Sequence, residues 1–136
     1  DQLLARMSGW TALLLAGQRP GPDRLATHFG EDWKALVEIG GEPMLSRVAK
    51  TLLASPSVAR IVVLAQDPVA LTARPATAWL ADEPRIAFTP SASSISLSVA
   101  AVAGGAAPWP VLVTTADHPL LTAQMVEDFV RGVGHA

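Results

Sequence analysis

Trp10-Thr11-Ala12-Leu13-Leu14-Leu15 runs directly into Ala16-Gly17-Gln18-Arg19-Pro20-Gly21-Pro22, and the reading of this junction decides the fold. A short, almost wholly apolar run closed by two small residues is the pattern of a strand buried on both faces, as in a parallel sheet. Gln18 to Pro22 cannot continue it, because two prolines and one glycine fall inside that stretch. The chain must turn there.

Working outward, the same theme recurs. Ile61 to Leu64, Ile86 to Phe88 and Val111 to Val113 are brief β-branched or apolar runs, each bounded by Pro, Asp or Ser, and give three more strand candidates. Helical patterns lie between them. Pro43 suits a first helical position, with Met44, Leu45, Val48, Leu52 and Leu53 on one stripe and Ser55-Pro56 ending the run. Asp67-Pro68 offers a cap and a first-turn proline for a second helix, which Pro75 should break or kink. Ser94 or Ser96 can start a third helix, reaching about Ala103. Thr122 can cap a fourth, with Met125, Val126, Phe129 and Val130 predicted to face inward and Gly132 near its end. Strand, loop and helix alternate four times, which predicts an α/β domain with a mainly parallel sheet and flanking helices. Ligands of such sheets gather beyond the carboxyl ends of the strands.

Composition narrows the function. The 136 residues are 50% hydrophobic and 16% charged, which excludes disorder and predicts one domain over residues 1–136. A net charge of -2 supplies no positive track for a polyanion, so nucleic acid is not an expected partner. The absence of cysteine excludes disulfides, thiolate metal sites and a cysteine nucleophile from this sequence. No apolar run approaches the roughly 18 to 20 residues that span a bilayer, so no membrane partner is expected and the cytoplasm is the expected compartment. Asp1 to Arg6 precede a Met7-Ser8-Gly9 that itself reads as a start.

The chemistry-bearing residues concentrate at the expected strand exits. In the loop after the first strand, glycines let backbone N–H groups face a concavity and Arg19 adds a fixed positive charge, although an ordinary Gly/Pro turn has the same composition. It is not a P-loop, since Pro22 and Asp23 follow Gly21, nor a G-x-G-x-x-G turn. Lys34, shortly before an apolar segment and Gly40-Gly41, reads as a phosphate partner for that loop or as a solvated surface lysine. Asp117, in Thr114-Thr115-Ala116-Asp117-His118-Pro119, serves equally as an oxygen ligand for Mg²⁺ or as a loop residue bonding its own backbone. His118 reads as a turn or pocket-wall residue, and His28 and His135 as surface residues. No serine sits in G-x-S-x-G, which argues against a Ser/His/Asp hydrolase.

The ordered set of Leu15-Ala16-Gly17 with Arg19 and Gly21, Lys34-x-Leu36, Gly41-x-Pro43-Met44-Leu45 and Asp117-x-Pro119 closely resembles the MobA-like nucleotidyltransferases, from about Thr11 to Phe129. The resemblance implies a Rossmann-like fold of the glycosyltransferase-A type, in which the loop carrying Gln18 and Gly21 wraps an NTP. By position it implies that Leu15, Ala16 and Gly17 meet base or ribose through the backbone. Arg19 and Lys34 would hold the triphosphate, and Asp117 would hold Mg²⁺. Gln66 and Ser98 fall near family positions at the second strand exit and at the helix after the third strand, the first of which reads the base. The implied reaction is transfer of NMP from an NTP, with GTP or CTP favoured, to a phosphorylated small-molecule acceptor, releasing pyrophosphate. Gln18 stands where members carry a second glycine, and Arg-Pro-Gly-Pro-Asp where many carry Arg-Met-Gly-x-x-Lys. The family fold continues beyond the point where this sequence ends, so an amino-terminal part lacking the acceptor portion is expected. A non-catalytic nucleotide or nucleotide-sugar binding module is the alternative, and homo-oligomerisation is compatible with both.

Overall fold

β1 (Trp10–Leu15) lies inside the sheet, with Ala12, Leu13 and Leu14 at 0% exposure, so both of its faces are covered as its sequence requires. The computed structural model describes residues 9–17, 24–31, 33–90, 111–116 and 121–134. Along these the chain forms α1 (Arg24–His28), a 3-10 turn (Lys34–Leu36), β2 (Glu38–Ile39), β3 (Glu42–Pro43) and α2 (Met44–Ala54). It continues through β4 (Val58–Ala65), α3 (Pro68–Thr72), α4 (Trp79–Asp82), β5 (Ile86–Pro90), β6 (Val111–Thr115) and α5 (Ala123–Gly134). The main sheet has four strands in the order β5-β4-β1-β6, and every pair is parallel. The expected third helix, from Ser94 or Ser96 to Ala103, lies outside the described residues. None of the helices is long and apolar enough to cross a membrane among the described residues.

The strand period of two divides the core. Ala12, Leu14, Ile61, Val63 and Leu112 pack on one face against Leu45, Val48 and Leu52 of α2, while Leu13, Val62 and Leu64 form a cluster on the other. Each fully buried Leu or Val contributes about 1.5–3 kcal/mol. Truncating Leu45, at 0% exposure in the middle of this packing, would therefore cost about 2–5 kcal/mol with its cavity term included.

Helix ends follow the sequence signals, with one shift. The Asp67 carboxylate accepts the Ala70 N–H at 3.1 Å, and α3 stops at Thr72, ahead of Pro75. Thr122 Oγ1 accepts the Met125 N–H at 3.1 Å. Pro43, expected as the first helical residue, instead precedes the helix with φ -56° and ψ 140°. The cause is the small hairpin: Pro43 pairs with Glu38, and the Met44 N–H is bound by the Val37 carbonyl at 2.9 Å. Gly40 and Gly41 make its turn with φ of 64° and 82°, the positive pair that a two-residue primed turn demands.

The inward face expected for α5 is narrower than its stripe suggested. Val126 is buried and Val130 half-buried, but Met125 and Phe129 stay 44% and 53% exposed. Among the described residues helix α5 docks against α2. The Phe129 ring meets Trp10 edge-on instead, at 6.0 Å.

Connectivity also fixes which end of the sheet is which. The Trp10 N–H donates to the Ser57 carbonyl, placing the α2–β4 turn at the amino end of β1. An eleven-residue α2 is about 16 Å long and runs back against the strands, so its first turn lies level with their carboxyl ends.

Candidate functional site

Three neighbouring strands end level with one another. The Ala16 N–H donates to the Leu64 carbonyl at 2.8 Å, and the Ala116 N–H donates to the Leu15 carbonyl at 3.0 Å, so both ladders run one residue past β1 and β6. The last side chains on this edge are small: Ala16, Ala65 and Ala116 are 5%, 1% and 2% exposed. Gly17, half-buried, is the first residue beyond the ladder, and Gln66 is exposed at the neighbouring exit. Between β1 and β6 the strand order also changes direction, because the chain leaves β1 toward β4 and β5 and only then returns to the other side. A parallel sheet opens a crevice at such a point.

Lys34 opens the 3-10 turn and is half-buried. Its next two residues, Ala35 and Leu36, are 4% and 1% exposed and belong to the cluster that holds Ala12, Leu14 and Ala16. The turn is closed by the Val37 N–H on the Lys34 carbonyl at 3.1 Å and tied to α2 through Val37 and Met44. The structure thus gathers Leu15, Ala16, Gly17 and Gln66 at one edge of the sheet and seats the Lys34 turn on the packed layer beneath it. Gln18, Arg19, Gly21, Ser98 and Asp117 lie outside the described residues; Asp117 directly follows Ala116 in sequence. Among the described residues no three His, Asp or Glu side chains gather as a metal site.

Around this edge runs a set of contacts that no local sequence pattern announces. Arg74 presents Nη1 to Glu31 Oε2 at 2.7 Å and Nη2 to Glu31 Oε1 at 2.6 Å, joining residues 43 apart in sequence. This hydrogen-bonded guanidinium holds the Glu31 carboxyl below its ordinary value, against the opposing effect of burial. Ser46, in the first turn of α2, donates to the Ala76 carbonyl at 2.9 Å and accepts from Trp79 Nε1 at 2.8 Å.

A depression also exists at the amino end of the sheet, lined by Gly9, Leu53, Pro56 and Arg85 among others. It is poorly equipped to take a ligand, because the Arg85 guanidinium already donates to the carbonyls of Leu53, Val58 and Ala59.

The sequence model of the MobA-like NTP transferase domain matches residues 12–136. This chain belongs to that family. The MobA-like domain also has the fold of solved nucleotidyltransferases. It is similar to CMP:2-keto-3-deoxy-manno-octonic acid synthetase complexed with CTP, with a TM-score of 0.69 and 22% identity over 94% of this chain and 48% of that one. It is similar to 4-diphosphocytidyl-2C-methyl-D-erythritol synthase from Anaerococcus prevotii, with a TM-score of 0.65 and 13% identity over 98% of this chain and 54% of that one. A hypothetical transferase from Thermus thermophilus is 26% identical, with a TM-score of 0.61 over 91% of this chain and 46% of its own. The MobA-like chain therefore spans about half the length of these solved structures. No curated protein sequence matches it.

Proposed function

We propose that this MobA-like domain binds an NTP at the carboxyl edge of β1, β4 and β6 and takes part in moving its nucleotidyl group to a phosphorylated small molecule. The observation that carries the reading is the level, small-residue edge at Ala16, Ala65 and Ala116, with the Lys34 turn seated on the same packed cluster. The small residues close the ladder beneath the exits, where half-buried Gly17 and exposed Gln66 offer contacts to a ligand, and the ammonium of Lys34 matches the charge of a triphosphate.

The chemistry asks little of the protein beyond placement and charge. An oxygen of the acceptor phosphate bonds to the α-phosphorus while the bond from that phosphorus to the oxygen bridging to the β-phosphorus breaks, and the electron pair leaves with pyrophosphate. The acceptor oxygen is already anionic, so no general base removes a proton. Gly17 lets the chain pass close to base and ribose beyond the ladder. Lys34 and Arg19 hold the phosphates and offset the charge that gathers on the departing pyrophosphate. Asp117 would hold Mg²⁺, since a carboxylate is of the hard-oxygen class that ion takes and the residue before it, Ala116, is fixed at the end of the ladder. Mg²⁺, when bound, neutralises phosphate charge. GTP and CTP are the preferred candidates from the family resemblance.

The test is binding and pyrophosphate release measured together, with GTP, CTP, ATP and UTP, Mg²⁺ and a set of phosphorylated acceptors. One NTP should bind preferentially and release pyrophosphate only with its acceptor. Binding without release would support the nucleotide-binding module in place of a transferase. If no NTP with Mg²⁺ binds, the reading is wrong.

A further inference from the structure

We infer that the Glu31–Arg74 pair is a positioning device that joins the exits of β1 and β4 and holds the Lys34 turn in place for the triphosphate. The inference rests on the nucleotide reading above and adds residues to it. Glu31 belongs to the chain that leaves β1, and Arg74 to the chain that leaves β4. Both lie on the carboxyl side of the sheet, since the Arg74 segment continues into Ala76 and Trp79, which are hydrogen-bonded to Ser46 in the first turn of α2.

The pair adds a restraint to those that packing supplies. On its far side the Lys34 turn is anchored by burial of Ala35 and Leu36 and by the Val37 and Met44 hydrogen bonds. On its near side the Glu31 N–H is bound to the Ala26 carbonyl at 2.7 Å, and Ala26 packs with Val37 and Met44. The Glu31 side chain adds a charged contact from this small unit to the β4 side. Of the two nitrogen–oxygen contacts, Nη1 to Oε2 is a directional hydrogen bond, and Nη2 to Oε1 is a charge contact without hydrogen-bond geometry. The Glu31 side chain is 16% exposed, with Oε1 withdrawn from water and without a hydrogen-bond donor, while the Arg74 side chain is 44% exposed, so the carboxylate is the shielded partner. Removing Arg74 leaves that carboxylate without its fixed counter-charge.

A positioning pair has consequences that a merely stabilising one lacks. Arg74→Ala should weaken binding of the Mg²⁺ complex of the preferred NTP about three- to tenfold, raising KM with little change in kcat. In the protein without nucleotide it should also speed hydrogen exchange at the Glu31 and Leu36 amides, which donate to Ala26 and Trp33, and leave the β1 and β4 amides protected. Arg74→Lys keeps the charge without the fork and should fall between. Glu31→Arg combined with Arg74→Glu should recover part of the affinity. If the unaltered chain binds NTP and Arg74→Ala loosens nothing, or loosens the segment without weakening binding, the positioning role is overturned and the nucleotide reading stands. If the unaltered chain binds no NTP, the nucleotide reading falls and takes this role with it.

Discussion

The two ends of the parallel sheet are built to different specifications. At the amino end the chain turns from α2 into β4 through Ser55, Pro56 and Ser57 alone, and the turn is stitched from both sides. Arg85 binds three carbonyls there, and Glu127 of α5 accepts from both serines. At the carboxyl end the chain wanders through residues 16–43 before α2 begins, taking in a short helix, a 3-10 turn and a two-residue hairpin. Such an excursion costs conformational entropy, offset here by burial of Ala26, Ala35, Leu36 and Val37. The difference separates a short, cross-linked turn from a long excursion, and the proposed nucleotide site lies at the second.

The sharpest way to break this comparison is to remove charge at the open end. Lys34→Ala should lower nucleotidyl transfer a hundredfold or more, about 3 kcal/mol in the barrier, if the ammonium faces the departing pyrophosphate. Its Tm should scarcely change, because Lys34 is half-buried at a turn anchored by its neighbours Ala35 and Leu36. Steady-state kinetics with a melting curve on the same sample separates the two effects. Turnover within twofold of the original would remove Lys34 from the site. At the stitched end the pattern should invert. Arg85→Ala loses donors to Leu53, Val58 and Ala59, and Leu53 lies in the last turn of α2, where a cation also complements the helix dipole. A loss of about 2 kcal/mol in denaturant unfolding is expected, with NTP affinity unchanged. A change in affinity would mean that the ends are not separable.

How much of this was legible in the sequence depends on whether the signal is local. β1 announced itself because a strand buried on both faces needs a continuous apolar run, and Asp67, Thr122 and Gly40-Gly41 because caps and primed turns require particular residues at fixed offsets. Where a neighbour decides, the sequence was silent or misleading. Met125 and Phe129 lie on the same helical stripe as Val126, yet they remain exposed while Val126 is buried. Pro43 has the chemistry of a first helical residue, yet its pairing with Glu38 holds it extended. The candidate site was legible as an ordered series of strand exits, of which Leu15, Ala16, Gly17 and Gln66 share one edge. Glu31 and Arg74 were not legible, because two charges 43 residues apart carry no joint signal in a single sequence.

The smallest expected effect concerns Glu127, and it discriminates through its pH dependence. Glu127 Oε1 accepts from Ser57 Oγ at 2.8 Å, and Oε2 accepts from Ser55 Oγ and from the Ser57 N–H at 3.2 Å. These bonds, the Ser55 hydroxyl foremost and Arg131 nearby adding attraction, hold the carboxyl below its ordinary 4.5 against the cost of burial. A carboxylate whose folded pKa lies below its unfolded one stabilises the fold above the unfolded value and loses that contribution as pH falls through the folded one. Glu127→Gln replaces one acceptor oxygen with an NH₂ group that cannot accept, which should cost about 1 kcal/mol near neutrality and lower Tm by roughly 3–5 °C. That gap should start to close as pH falls below 4.5 and be gone below the lower folded value, where the original side chain is also neutral. Melting both proteins from pH 7 to pH 3 reads the gap directly. A gap that stays constant across this range would show that the charge of Glu127 does not fasten the amino end.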